Sequence, residues 1–193
     1  GDLDTAALDA CLDHWVRYRS TLPGEVLERI DGCEVVVTNK VVIDAAAMAT
    51  PALQLIVVAA TGTNNIDLTA AANERITVCN VRDYASAAVS QHVFSLILAL
   101  ATRLGDYTQA VRQGYWQESK VFCMLDYPIR ELAGQTLGII GLGNLGRRVA
   151  RIAEGFQMQV LICARPGSQE IPDGRVPLDT LLEKSDVISL HCP

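Results

Sequence analysis

Residues 136–165, TLGIIGLGNLGRRVARIAEGFQMQVLICAR, constrain this chain more than any other stretch. An apolar strand runs into Gly141-x-Gly143-x-x-Gly146, then an amphipathic helical pattern, then a second apolar strand. That succession is the phosphate-binding turn of a parallel α/β fold. Gly141 permits the tight turn out of the strand. Gly143 carries no Cβ to collide with an approaching pyrophosphate, and Gly146 lets the helix lie close to the sheet. The first helical amides, those of Asn144 and Leu145, precede any intrahelical bond. They face a position where the helix dipole favours negative charge. A glycine-rich turn alone is weak evidence, but strand, turn, helix and second strand agree here. The expected ligand is a dinucleotide held in a Rossmann-type unit.

The choice between dinucleotides is read at the end of the second strand. About twenty residues beyond the glycines, an acidic residue ordinarily bonds the adenosine ribose 2′-OH. Ala164 stands there, followed by Arg165. A carboxylate repels a 2′-phosphate, whereas a guanidinium binds one through paired, charge-assisted hydrogen bonds. NADP is therefore expected over NAD. The alternative is a solvated arginine at a turn, with NAD bound without the usual acid.

Composition narrows the remaining classes. The net charge of −6 and the absence of a basic run argue against nucleic acid as a partner. The richest apolar run, Val93–Ala101, is far too short to span a membrane. His14, His92 and His191 show no metal-ligand spacing, and no metal is expected. Of the six cysteines, Cys33, Cys79, Cys163 and Cys192 lie in or beside apolar runs with no CxxC pair. They read as buried thiols in a reducing cytosol.

Along the chain, helical and strand patterns alternate. Leu8–Tyr18 reads as a helix, Cys33–Thr38 as a strand, and Ile43–Met48 as a short helix. Leu53–Ala60 is the near-continuous apolar run of a buried parallel strand. Leu68–Glu74 reads as helix and Ile76–Val81 as strand. A long helix is expected from about Ser86 to Gly105, with Ala88, Val89, His92, Val93, Leu96 and Leu100 at helical spacing. It reads as a connector between domains. Tyr107–Leu132 reads as irregular, its aromatic residues suited to packing on another domain or subunit. After strand Gln159–Ala164 come a turn at Pro166-Gly167, a helix over Leu178–Lys184 with Asp179 as candidate N-cap, and a strand over Val187–His191. Alternation of this kind predicts parallel α/β sheets. Only about half the expected strands follow Thr136, and no opening strand precedes the first helix, so both domains are expected to be incomplete.

Several blocks coincide with one family. VVVTNKVVIDAAAM, LIVVAATGTNNIDLTAA, NVRDYASAAVSQHVFSLILAL, FCMLDYPIRELAGQTLGIIGLGNLGR and DVISLHCP follow in order. In these the chain resembles the D-isomer-specific 2-hydroxyacid dehydrogenases, nearest to those acting on glycerate and hydroxypyruvate. The resemblance implies two doubly wound parallel-sheet domains. One is a flavodoxin-like substrate domain over 1–90. The other, over 91–193, is the connector helix with the first half of the Rossmann NAD(P)-binding domain.

The implied reaction is hydride transfer between NAD(P)H and a small 2-oxo or 2-hydroxy acid, such as hydroxypyruvate or glyoxylate. Other family reactions, on formate, phosphite or other 2-hydroxy acids, stay open, as does a corepressor-like dinucleotide-sensing module. The family's histidine, carboxylate and arginine are expected beyond Pro193, so no residue here receives a catalytic role. Cys192 and Pro193 would border the adenosine pocket, and Val89 would pack on the nicotinamide ring. A homodimer through the cofactor domain is implied, with Tyr107–Tyr127 as candidate contact. Substrate binding is expected at Thr61-Gly62-Thr63, where successive amides at a strand end can form an anion site. Lys40, with its positive charge, and Tyr84 are the flanking candidates.

Overall fold

The computed structural model describes residues 5–165, 167–168 and 170–192. They form two compact units, Gly1–Arg82 and Asp83–Pro193. The division therefore falls earlier than the expected 90/91, and the whole connector helix belongs to the second unit.

The first unit holds α1 (Ala6–Asp9), α2 (Val26–Ile30), β1 (Val35–Thr38), α3 (Ala45–Met48), β2 (Leu55–Val58), α4 (Leu68–Asn73) and β3 (Thr77–Asn80). The strands are parallel in the order β1-β2-β3. Their β-branched residues suit a pleated surface covered by helices. Ile56 and Val58 of the central strand are fully buried, against Ile43, Ala47, Met48, Ile66 and Ala71. Two aspartates start the helices. Asp44 accepts from the Ala47 amide at 2.9 Å, and Asp67 from Thr69 and Ala70 at 3.1 and 2.9 Å. Asn65 ties the loop down, donating from its side chain to the Val41 carbonyl at 2.9 Å.

The helix expected over Leu8–Tyr18 is a single turn, α1. Its would-be apolar stripe, Leu8, Leu12 and Val16, stays exposed. Without a surface to pack on, a short helix has too little intrinsic stability to propagate.

The second unit holds α5 (Ser86–Ala101), α6 (Leu104–Arg112), α7 (Tyr115–Glu118), β4 (Thr136–Ile140), α8 (Asn144–Gly155), β5 (Gln159–Ile162), α9 (Leu178–Lys184) and β6 (Val187–Leu190). The expected long helix stops at Ala101. Arg103 adopts a left-handed conformation (φ 53°), and α6 leaves at an angle of 62°. The span expected to be irregular thus contains α6 and α7. Tyr107 and Tyr127 pack edge to face at 5.1 Å within this unit, while Trp116 and Phe122 remain exposed. The buried face of α5 is Ser90, Phe94 and Ile97. Val89, Leu96 and Leu100 lie on the exposed face, so α5 is apolar on both sides. Among the described residues no single helix is long and apolar enough to cross a membrane.

The second sheet is parallel in the order β5-β4-β6, with a further bridge from Cys163 to Val176 outside β5. The chain therefore steps outward from β4 to β5 to Val176, then crosses to the other side for β6. That reversal is the switch point of a doubly wound sheet, beyond whose strand ends ligands bind. Helix α9 lies close on β4, because a Cβ at Gly138 would sit 2.6 Å from Leu181 Cδ2. Its N-cap is Pro177, and Asp179 falls in the first turn instead.

Candidate coenzyme and substrate sites

Gly141 ends β4 at the switch point. Its φ is +101°, and an added Cβ would lie 2.5 Å from the Cys192 nitrogen and the His191 carbonyl carbon. The backbone leaving β6 thus presses on the turn, which no L side chain can accommodate. At Gly146 a Cβ would stand 2.1 Å from the Gly141 carbonyl oxygen. The first turn of α8 is consequently seated on the glycine turn itself.

Gly143 differs from both. It is the N-cap of α8 with ordinary extended backbone, and a Cβ there meets nothing within 4 Å. The space above it is open. No side chain caps α8, and its first bond runs from the Arg147 amide to the Gly143 carbonyl at 3.0 Å. The amides of Asn144, Leu145 and Gly146 precede that bond, and no acidic residue occupies the first turn. An uncapped helix start beneath open space suits the diphosphate of a dinucleotide. The donor set fits that group.

Around this shelf, the Cys163 thiol is buried, and so is Ala164, whose amide donates to the Val176 carbonyl at 2.8 Å. Arg165 is exposed. Cys192 is exposed just past β6. Cys79 is exposed as well, on the open face of edge strand β3, and Cys33 is half-buried. The expectation of four buried thiols therefore holds for Cys163 alone: Cys79 lies on the uncovered face of an edge strand, and Cys33 and Cys192 lie outside the strands. Pro166 of the expected turn and Pro193 lie outside the described residues. Val89 is exposed in the second turn of α5, and Tyr84 is exposed two residues before α5 begins.

His191 leaves β6 with its amide on the Ile140 carbonyl at 2.7 Å. Its Nε2 lies 2.8 Å from Ser189 Oγ, and burial lowers its pKa below the usual imidazole value. His92 lies on the exposed side of α5.

In the first unit, Lys40 and Thr61-Gly62-Thr63 share the C-terminal edge of the sheet, beyond the aligned ends Thr38, Val58 and Asn80. Thr61 Oγ1 donates to the Val81 carbonyl at 2.9 Å, and the Asn80 side-chain amide to the Thr61 carbonyl at 2.8 Å. Gly62 is not in the left-handed region, so the expected need for a glycine conformation is corrected. What Gly62 provides is room, since a Cβ there meets nothing within 4 Å. The amides of Thr61, Gly62 and Thr63 donate to no described acceptor. Asn65 and Asp67 of the same TGTNNID run hold that loop in place, a structural role that their polar character alone did not reveal.

A model of the D-isomer specific 2-hydroxyacid dehydrogenase NAD-binding domain matches residues 94–193. The chain belongs to that dehydrogenase family. It is 44% identical over 200 residues to a glycerate dehydrogenase of Methylorubrum extorquens, covering 99% of this chain and 62% of that protein. The chain's fold is also found in solved structures. The TT0316 protein of Thermus thermophilus superposes with a TM-score of 0.76 at 32% identity, covering 90% of this chain and 56% of that one. An acyclic imino acid reductase in complex with NADPH and D-Arg superposes with a TM-score of 0.75 at 26% identity, covering 90% and 55%. The chain thus spans somewhat more than half the length of each of these three proteins.

Proposed function

We propose that this chain carries the coenzyme-binding half-site and the substrate anion site of an NAD(P)H-dependent reductase of hydroxypyruvate or glyoxylate, acting in reverse as a glycerate dehydrogenase. The observation that carries the reading is the uncapped start of α8 beneath the open space at Gly143. The coenzyme, when bound, supplies the hydride. The amides of Asn144, Leu145 and Gly146 hold its diphosphate, while Gly141 and Gly146 fix the turn that aims them. Cys192 borders the adenosine, and Val89 offers an apolar surface to the nicotinamide.

In the first unit, the free amides of Thr61, Gly62 and Thr63 receive the substrate carboxylate, and Lys40 adds positive charge at the same sheet edge. Tyr84, in the second unit, is the remaining candidate substrate residue. No acid–base role is assigned to His92 or His191, because neither faces these groups in a described contact. Similarity to a glycerate dehydrogenase supports the substrate class.

Two finer assignments belong to the same reading. NADP is preferred over NAD, supported by Ala164 in place of an acid, by the exposed Arg165, and by the NADPH held in a related reductase. A homodimer forms through the second unit. It is supported by the exposed Trp116, Val121, Phe122 and Leu125 and by the uncovered apolar face of α5. The working compartment is the cytosol.

Titration of this chain with NADPH and NADH, followed by quenching of tryptophan fluorescence, tests the coenzyme assignment. Saturable binding tighter for NADPH is expected. Absence of binding to either coenzyme by a folded chain overturns the reading.

A further inference from the structure

The strand stub beyond β5 brings a second arginine to the adenosine end of the coenzyme shelf. Val176 is bridged to Cys163, with the Val176 amide on the Ile162 carbonyl at 2.9 Å and the Ala164 amide on the Val176 carbonyl at 2.8 Å. Arg175, the residue just before this bridge, is thereby carried to the C-terminal end of β5. Its Nη1 lies 3.4 Å from the Cys163 carbonyl oxygen, one residue before Ala164 and two before Arg165. Arg175 is half-buried, whereas Arg165 is exposed.

Among the described residues neither guanidinium is paired with a carboxylate. The ion pairs among the described residues are Arg17–Asp9, Arg29–Glu25 and Arg103–Asp106. Glu170 and Asp173 in the intervening loop are exposed and are in none of these ion pairs. A guanidinium has five N–H donors, and one long bond to a carbonyl leaves most of them free. Two such groups beside a position lacking the ribose-binding acid form a fork for a dianionic phosphate monoester.

We propose that Arg175 is a specificity-determining residue that, together with Arg165, clamps the 2′-phosphate of NADPH. The assignment rests on the NADP reading above and extends it. Arg175 is the prong held in place by the Cys163 carbonyl. Arg165 is the exposed prong that reaches the phosphate from the turn. Neither touches the diphosphate or the reacting end of the coenzyme, so both discriminate by affinity alone.

Direct binding to the 193-residue chain tests this, by calorimetry with NADPH, NADH, 2′,5′-ADP and 5′-AMP. Arg175→Gln is expected to weaken NADPH and 2′,5′-ADP about tenfold, about 1.4 kcal/mol, and to leave NADH and 5′-AMP within twofold. Arg175→Lys keeps the charge without the fork and is expected to fall between. Far-UV circular dichroism checks that the variants fold. Should Arg175→Gln misfold, the Lys variant and the salt dependence of the wild type carry the test. NADPH affinity is expected to fall more steeply with ionic strength than NADH affinity.

If Arg165→Gln abolishes the NADPH preference while both Arg175 variants retain it, the clamp is overturned and the NADP reading stands. If the wild-type chain binds NADH as tightly as NADPH, the NADP reading itself is overturned and the clamp falls with it. Equal weakening of NADPH and NADH by Arg175→Gln also overturns the clamp, since it marks a structural role.

Discussion

Two loops in this molecule follow the central strand of a three-stranded parallel sheet, and both carry glycine for different reasons. After β4, Gly141 and Gly146 are demanded by the protein's own backbone, which approaches within 2.1–2.6 Å of any added Cβ. After β2, Gly62 has ordinary φ and an empty surround. The first loop is a rigid mount, and the second is an open edge with unpaired amides. Gly143 sits inside the rigid loop yet behaves like Gly62, with nothing of the protein near it. A glycine that the protein's own backbone demands and a glycine beneath open space thus stand two residues apart, and substitution separates them.

The largest effect is expected at Gly141. Gly141→Ala places a Cβ against the backbone of His191 and Cys192 at an unfavourable φ. It should destabilise the second unit by about 3 kcal/mol. The two tryptophans, Trp15 and Trp116, lie one in each unit. With Trp15 replaced by Phe, the fluorescence of Trp116 follows urea unfolding of the second unit alone. An unchanged midpoint for Gly141→Ala would show that the close approach is not real in solution.

Gly143→Ala sharpens the contrast. Its Cβ meets no protein atom, so stability should stay within about 0.5 kcal/mol of wild type. On the proposed reading, coenzyme affinity should nonetheless fall tenfold or more, about 1.4 kcal/mol, because the methyl would occupy the approach assigned to the diphosphate. Loss of stability with coenzyme affinity retained would invert the roles assigned to the two glycines.

This contrast also explains what was legible in the sequence. The β4–α8–β5 unit could be read because sterics allow few residues at Gly141 and Gly146, and its strand and helix periods agree. The N-cap at Asp67 was not singled out, although its preference for that position is local chemistry. The long helix begins at Ser86 as expected, but its buried face was not legible because α5 is apolar on two faces. Periodicity therefore chose the Val89–Leu96–Leu100 side, while packing buries Ser90, Phe94 and Ile97. Its end at Ala101 depends on one left-handed arginine, Arg103, a conformation no composition rule announces. Arg175 was invisible for another reason. It lies thirteen residues beyond the end of β5 at Ile162, and only the parallel bridge Cys163–Val176 returns it there.

In the open loop of the first unit the effects should be smaller. Asp67→Ala removes the side chain that accepts from Thr69 and Ala70, and should cost about 1 kcal/mol. Thr61→Val loses the 2.9 Å bond to the Val81 carbonyl, at a cost of about 0.5–1.5 kcal/mol. Gly62→Ala should cost nothing measurable, since neither φ nor space opposes it. Trp15 fluorescence during urea unfolding, with Trp116 replaced by Phe, reads all three. A destabilisation by Gly62→Ala equal to that of Gly141→Ala would erase the distinction between the loops.

The smallest expected effect concerns His191, whose backbone seats Gly141. Burial holds its folded pKa below the ordinary value of 6.5, so the imidazole is kept neutral. Between that lowered pKa and 6.5 the unfolded chain binds more protons than the folded one. The contribution is therefore complete above pH 6.5 and is lost as the pH falls through this window. Wild type should lose more stability than His191→Gln as the pH is lowered from 7 to 5, with the two curves parallel above 7. The difference is modest because the ring is only partly buried and its partner, Ser189 Oγ, accepts from or donates to a neutral imidazole equally well. Parallel curves throughout, or a wild type that gains stability relative to the variant at low pH, would mean that the ring next to the glycine turn is solvated. The backbone contact at Gly141 would then stand without support from the His191 side chain.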